Sequence, residues 1–168
     1  LYKNIMTTFL LCVLIIVILV GCDPLEKDIM NFYQSTESID LSQENINSIS
    51  ISSNKNDILE AFGIPNQVEE VENPKSQYLI YDGIEFGLIE EKVNRYYIQE
   101  NYETTKGIVI GDSKDRVIKE YGQNYYERVE SNIETLGYFD KDHMINIEFG
   151  IHENKVVAVI VEKIDKKR

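Results

Sequence analysis

From residue 47 onward the chain switches from helical to strand-like hydrophobic spacing, and it does so twice. Ile58, Leu59 and Phe62 fall at i, i+1 and i+4, and Val117, Ile118 and Tyr121 repeat that spacing, which gives each short helix one apolar face. Ser53 or Asn54 can cap the first helix. Asp112 or Ser113 can cap the second, with Asp112 and Asp115 in capping-box-like spacing. Gly63 and Gly122 suit a left-handed C-terminal stop, and Pro65 follows the first. Strand patterns come next. Gln77–Tyr81 and Ile84–Leu88 flank Asp82-Gly83, a hairpin signal, and Glu90-Glu91-Lys92 turns the chain into Val93–Ile98. Further on, Ile145, Ile147, Phe149 and Ile151 alternate with polar or small residues, the mark of a half-buried strand. His152–Asn154 then turns into Lys155–Lys163, a nearly continuous apolar strand. Helix followed by hairpin-linked strands predicts an antiparallel α+β fold.

The two passages match residue for residue. Ile49, Ile51, Lys55 and Gly63 recur as Ile108, Ile110, Lys114 and Gly122, an offset of 59. Ile84–Val93 recurs as Ile147–Val156 at an offset of 63, with seven of ten positions identical. The change of offset places an insertion in the middle of the second copy. Repetition at this period predicts two tandem units, here 47–100 and 101–168, each a short helix followed by an antiparallel β-meander.

Before these units the pattern is different. Residues 23–46 are polar and predict a tether with a helical turn around Asp28–Tyr33, spanning about 25–30 Å if flexible. Residues 6–20 are an apolar run preceded by one charge, Lys3. The run ends at Leu19-Val20-Gly21-Cys22, followed by Asp23 and Pro24, which would end a helix there. Leu19, Val20, Gly21 and Cys22 resemble a bacterial lipobox. The resemblance implies a signal peptide over 1–21, a palmitate-type lipid anchor on Cys22, and a location on the extracytoplasmic side of the cell membrane. A span needs roughly 20 apolar residues, so a retained anchor helix is the shorter fit; a cleaved soluble product is the third reading. The sequence opens on Leu1, which fits a non-AUG start codon or a truncated fragment.

Charge narrows the partners. The formal net charge is −12, and removing 1–21 takes away only Lys3. So acidic a chain argues against nucleic acid and against anionic headgroups, leaving the lipid to hold the membrane. The tail Lys163, Lys166, Lys167 and Arg168 is basic and reads as a solvated end. The two cysteines are Cys12 and Cys22, so residues beyond 22 have no thiol for a disulfide, a thiolate metal site or a nucleophile.

No reaction centre is legible. His143 and His152 fall in predicted turns without zinc-site spacing. Asp140-Lys141-Asp142-His143 lacks the alternating ligands and glycine of a calcium loop. No nucleophile elbow or phosphate-binding fingerprint occurs, and Gly107–Gly111 reads as a strand entry. Glu85 and Glu148 repeat and could pair in acid–base work, but alternation with Ile84, Phe86, Ile147 and Phe149 puts them on the solvent face of equivalent strands. The expectation is no cofactor and no metal.

The tyrosines carry the other lead. Tyr96, Tyr97 and Tyr102 close the first unit, and Tyr125 and Tyr126 follow the second helix. Tyrosine is enriched where proteins bind partners, so these five form a candidate partner surface, against the simpler reading as sheet and core residues. The stretch Gly107-Ile108-Val109-Ile110-Gly111-Asp112-Ser113 with Val117-Ile118 and Tyr121-Gly122, and Ile58 to Pro65 in the first copy, resembles the BamE/SmpA-OmlA and beta-lactamase-inhibitor-protein-like (BLIP-like) superfamily. That resemblance implies a helix closing into a three-stranded meander, and membrane-associated assembly factors or extracellular inhibitors that act by binding. It carries over no catalytic residue and no inhibitory loop. The expected function is a lipid-anchored, non-enzymatic binding or assembly protein of the cell envelope, acting on a protein or envelope partner through an exposed sheet surface. Alternatives are a cell-wall-associated enzyme or enzyme accessory, a secreted-type inhibitor, or a structural spacer.

Overall fold

The computed structural model describes residues 24–164. The expected signal segment, the lipobox with Cys22, and the basic residues Lys166, Lys167 and Arg168 lie outside them. The chain divides into two units, 1–35 and 36–168. In the first, α1 spans Pro24–Ser35. Pro24, expected to stop a helix, instead begins one: its fixed φ and missing N–H suit the first helical position. Ser35 closes α1 by donating its hydroxyl to Asn31 O at 3.0 Å. Among the described residues no helix is long and apolar enough to cross a membrane.

The second unit is one eight-stranded antiparallel sheet with two short helices, α2 (Lys55–Phe62) and α3 (Lys114–Tyr121). The strands are β1 (Gln67–Glu72), β2 (Lys75–Tyr81), β3 (Ile84–Ile89), β4 (Lys92–Ile98), β5 (Tyr126–Glu130), β6 (Ile133–Asp140), β7 (Ile145–His152) and β8 (Lys155–Lys163). Their order is β1-β2-β3-β4-β8-β7-β6-β5, so α2 with β1–β4 and α3 with β5–β8 follow the same sequence of elements. The two runs meet where β4 pairs antiparallel with β8, Tyr96 opposite Val161 and Ile98 opposite Val159.

The two runs share local bonding as well as order. Before α2, Ser52 N donates to Val93 O and Val93 N to Ser53 O; before α3, Gly111 N donates to Val156 O and Val156 N to Asp112 O, all at 2.8–2.9 Å. The ladder slips between Gly87 and Leu88 and again between Gly150 and Ile151. The helix starts match their sequence signals. Asn54 precedes α2, its N–H donating to Asp57 Oδ2 at 2.8 Å, and Ser113 Oγ accepts from Arg116 N at 3.2 Å. The helix ends differ in detail from the left-handed stop expected at Gly63 and Gly122. Both have positive φ, 77° and 97°, but extended ψ, −151° and −174°, a region open essentially to glycine alone. A tyrosine seals each: Tyr81 donates to Gly63 O at 3.0 Å and Tyr138 to Gly122 O at 3.1 Å. Tyr81→Phe and Tyr138→Phe should each lower stability by about 1 kcal/mol, read as matching shifts of the urea midpoint; a large loss in one and none in the other would mean that only one half relies on its seal.

Two expectations need correction. Each meander has four strands, because β1 and β5 add an outer strand to each run. And residues 36–46 are not a tether. They form a strap built into the folded unit, with Thr36, Leu41, Glu44 and Ile46 buried. The strap is held by the β6–β7 hairpin, which is longer than its counterpart: Tyr81 and Ile84 face each other across the two-residue turn Asp82-Gly83, whereas the equivalent pair Tyr138 and Ile147 is followed by further rungs to Asp140 opposite Ile145. The residues of this extension grip the strap. Ile39 N donates to Phe139 O at 2.8 Å, Leu41 N to Asp140 Oδ2 at 2.9 Å and Lys141 N to Ser38 Oγ at 2.9 Å.

One face of the sheet, the two helices and the strap enclose the core. It runs through both halves, from Leu79, Phe86 and Tyr96 to Leu136, Tyr138 and Phe149. Phe149 packs edge-on to Tyr121 at 4.9 Å between ring centroids, and Phe86 packs edge-on to Phe62 at 5.0 Å. Glu44 reaches into this core from the strap. It accepts from Thr105 N at 2.9 Å and from the Tyr121 hydroxyl at 3.0 Å. Burial pushes its carboxyl above the ordinary range, with those two bonds pulling the other way.

Candidate functional site: the open face of the sheet

Successive strand residues point to opposite faces. In unit 36–164 the helices and strap cover the face bearing Phe86, Tyr96 and Phe149. The opposite face, here called the open face, carries a row across the central strands that is accessible at Ile80, Glu85, Tyr97 and Ile160 and buried at Glu148 and Gly137.

This geometry sorts the candidate tyrosines. Tyr96 is 0 % exposed in the core, so it cannot present a surface. Its neighbour Tyr97 points the other way and is half-buried on the open face. Tyr102 and Tyr125 are half-buried against the core on the helix side, Tyr102 tilted against Phe62 at 5.8 Å and Tyr125 edge-on to Tyr138 at 5.9 Å between ring centroids. Tyr126 is buried on the open-face side, its ring stacked on Phe139 at 4.8 Å. The five do not form one surface; Tyr97 alone keeps the expected position on an accessible sheet face.

Glu85 and Glu148 were both expected on the solvent face of their strands. Glu85 is half-buried, 3.8 Å from Arg95, but Glu148 is 6 % exposed. Its carboxylate is gripped by Arg128, Nη2 to Oε2 at 2.8 Å and Nε to Oε1 at 3.2 Å, and by the Tyr126 hydroxyl at 2.6 Å. Such a two-pronged guanidinium contact is both strong and directional. Asn146 completes the group by donating to the Tyr126 oxygen at 3.1 Å. Arg128 is held charged first by its bonds to Glu148, while burial and the Glu148 charge push the Tyr126 hydroxyl well above its ordinary value. Gly137 makes room: a Cβ there would stand 2.0 Å from the Tyr126 ring. Nearby, burial and then the Glu148 charge push Glu162 up.

Beside this cluster the face is hollowed. Gly150 and Ala158 form a low floor between Tyr97, Ile133 and Ile160, with Arg128 and Glu148 at one side, enclosing about 290 Å³. The hollow is an apolar shelf whose rim carries Arg128 paired with both Glu148 and Glu130. Glu148 already accepts three hydrogen bonds, which leaves it poorly suited to take a proton from a substrate.

The histidines take structural places. His152 is the last residue of β7, exposed. His143 lies in the β6–β7 turn, its Nδ1 2.8 Å from Asp140 Oδ2. Asp40, Asp140 and His143 bring ligand-type atoms within 4.8 Å of one another, a grouping found once among the described residues. Asp140 is otherwise engaged, accepting from Leu41 N on Oδ2 and from Asp142 N and His143 N on Oδ1. Burial acts to raise its pKa, but these N–H groups and the imidazole outweigh that and hold it below the usual range. The cluster staples strap to hairpin.

No protein-family model matches the chain, and no curated protein sequence does. Several solved structures are similar in part. An extracellular protein containing a SCP domain from Bacillus anthracis shares 14 % identity at a TM-score of 0.47 over 77 % of this chain, which spans 46 % of that protein's length. The DUF4309 family protein YjgB from Bacillus subtilis shares 13 % identity at a TM-score of 0.44, covering 79 % of this chain and 90 % of that one. A Streptococcus mutans protein provisionally designated a beta-lactamase inhibitor protein shares 16 % identity at a TM-score of 0.29, covering 85 % and 99 %.

Proposed function

We propose that the protein is an extracytoplasmic, lipid-anchored binding protein whose open sheet face receives a protein or cell-envelope partner, and that its two halves are tandem copies of one helix-plus-meander unit. The observation that carries the binding role is the open face itself: a shelf with Tyr97, Ile133 and Ile160 half-buried around the Gly150–Ala158 floor, beside an ion pair fixed by Glu148, Arg128 and Tyr126. Apolar area ringed by rigid polar groups is the anatomy of a protein-binding patch. The duplication rests on the doubled element order, the paired ladder slips and the two tyrosine seals. The anchor rests on the sequence Leu19–Cys22.

The enzymatic alternative has less support. Glu85 and Glu148 lie on β3 and β7, with β4 and β8 between them. Three strand spacings separate their backbones by about 14 Å, and Arg128 and Tyr126 of β5 hold the Glu148 carboxylate on the side away from Glu85.

Two measurements test the proposal. Mass analysis of the mature N-terminus should find acyl mass on Cys22, and Cys22→Ala should release the protein from the membrane; an unacylated N-terminus rules out the anchor. A photocrosslinker at Tyr97 should capture a defined adduct in intact cells, and Ile160→Asp should abolish it. An adduct indifferent to Ile160→Asp would remove the open face from the binding role.

A further inference from the structure

The sheet has two outer edges, β1 and β5, and they treat their acidic residues differently. On and beside β5 the carboxylates are neutralised within the chain: Lys114 bridges Glu127, at 2.8 Å, and Glu134, and Arg128 reaches Glu130 at 3.1 Å. On β1 every residue is exposed, and Glu69, Glu70 and Glu72 have no cationic partner among the described residues. Their only side-chain bonds are neutral, from Gln67 to Glu69 at 2.7 Å and from Gln77 to Glu70 at 3.1 Å. At the end of β1 a hollow of about 650 Å³ opens over Val71, Leu88 and Ile89, rimmed by Glu70, Glu72, Glu90 and Glu91 and by one cation, Lys75, which lies opposite Glu72 in the β1–β2 register without forming an ion pair with it. An edge strand pairs on one side only and leaves backbone donors and acceptors free along the other. The sequence Gln67-Val68-Glu69-Glu70-Val71-Glu72 therefore combines a vacant ladder, two exposed valines and a surplus of negative charge.

We infer that the outer side of β1 is a docking edge for an extended, basic polypeptide segment, which adds as a ninth strand with its Lys or Arg side chains against Glu69, Glu70 and Glu72. Charge complementarity selects this occupant. A second copy of the chain would bring the same acidic edge against this one, and like charges directly opposite each other destabilise a ladder. Main-chain hydrogen bonds supply affinity in such additions, and side-chain pairing supplies selectivity. The edge is separate from the Tyr97 shelf, and the inference stands whether or not that shelf binds.

The test is an NMR titration of the isotope-labelled mature chain with a capped Lys-Val-Lys-Val-Lys-Val peptide. Saturable amide shifts are expected along Gln67–Glu72. Raising NaCl to about 0.5 M should weaken binding about tenfold. The triple variant Glu69→Lys, Glu70→Lys, Glu72→Lys should weaken it at least about tenfold while leaving the thermal midpoint within a few degrees, since all three side chains are exposed. Glu127→Lys with Glu130→Lys should leave it within about twofold. A peptide N-methylated at alternate residues should also lose about tenfold, because it cannot complete the ladder. The inference is overturned by shifts centred on Tyr97, Ile160 or β5, by equal affinity for the N-methylated peptide or for spermine, or by no saturation up to about 5 mM.

Discussion

Phe149→Ala should lower the stability of the folded unit by about 3–5 kcal/mol, a large share of what a domain of this size commands. The ring is fully buried, edge-on to Tyr121 at 4.9 Å and to Tyr138 at 6.2 Å, and its backbone is locked into β7 between β6 and β8. Neither neighbour strand can close the cavity without breaking its own ladder. Phe86 occupies the corresponding place in the other half, edge-on to Phe62 and Tyr81, and Phe86→Ala should cost a similar amount. Because the core is continuous across the β4–β8 seam, both variants should unfold in a single transition by calorimetry. Two separated transitions in Phe149→Ala would mean that the halves are independent folding units.

The second large effect is expected at Arg128. Its guanidinium is the cationic partner of a carboxylate that is 6 % exposed. Arg128→Ala leaves Glu148 charged, buried and held only by Tyr126, a loss of about 3 kcal/mol near neutral pH. Chemical denaturation at pH 7.5 checks this: the urea midpoint of the variant should fall well below that of the wild type. Arg128→Met combined with Glu148→Leu removes both charges and should recover most of the loss. No recovery would mean that the pair also orders the surrounding backbone.

Much of this fold is visible in the sequence because its signals are local. The caps at Asn54 and Ser113, the stops at Gly63 and Gly122 and the Asp82-Gly83 hairpin each depend on a few adjacent residues. β1 was hidden because it buries nothing: Val68 and Val71 are exposed among glutamates, so no hydrophobic face marks it. The strap was hidden because its buried residues, Leu41, Glu44 and Ile46, follow no helical or strand period, and one of them is charged. The open face was half legible. Alternation alone separates Tyr96 from Tyr97, and it correctly sets Glu148 opposite to Phe149. What it cannot supply is the cover over Glu148, which comes from Tyr126 and Arg128 twenty or more residues earlier in the chain.

The order of strands also bears on how the sheet is assembled. Six of its eight strands sit beside sequence neighbours only, but the inner side of β4 waits for β8, the last of the eight in chain order. While the chain emerges, the first half can complete α2 and β1–β4, yet its inner edge at Arg95–Ile98 has nothing to pair with until Val159–Glu162 arrives. That interval is the period of greatest aggregation risk, since an unpaired strand edge recruits other chains. Acidic charge on the outer edge does not shield it. A chain ending short of β8 would thus lose more than one strand, because it would expose β4 and β7 together in what should have been the middle of the sheet.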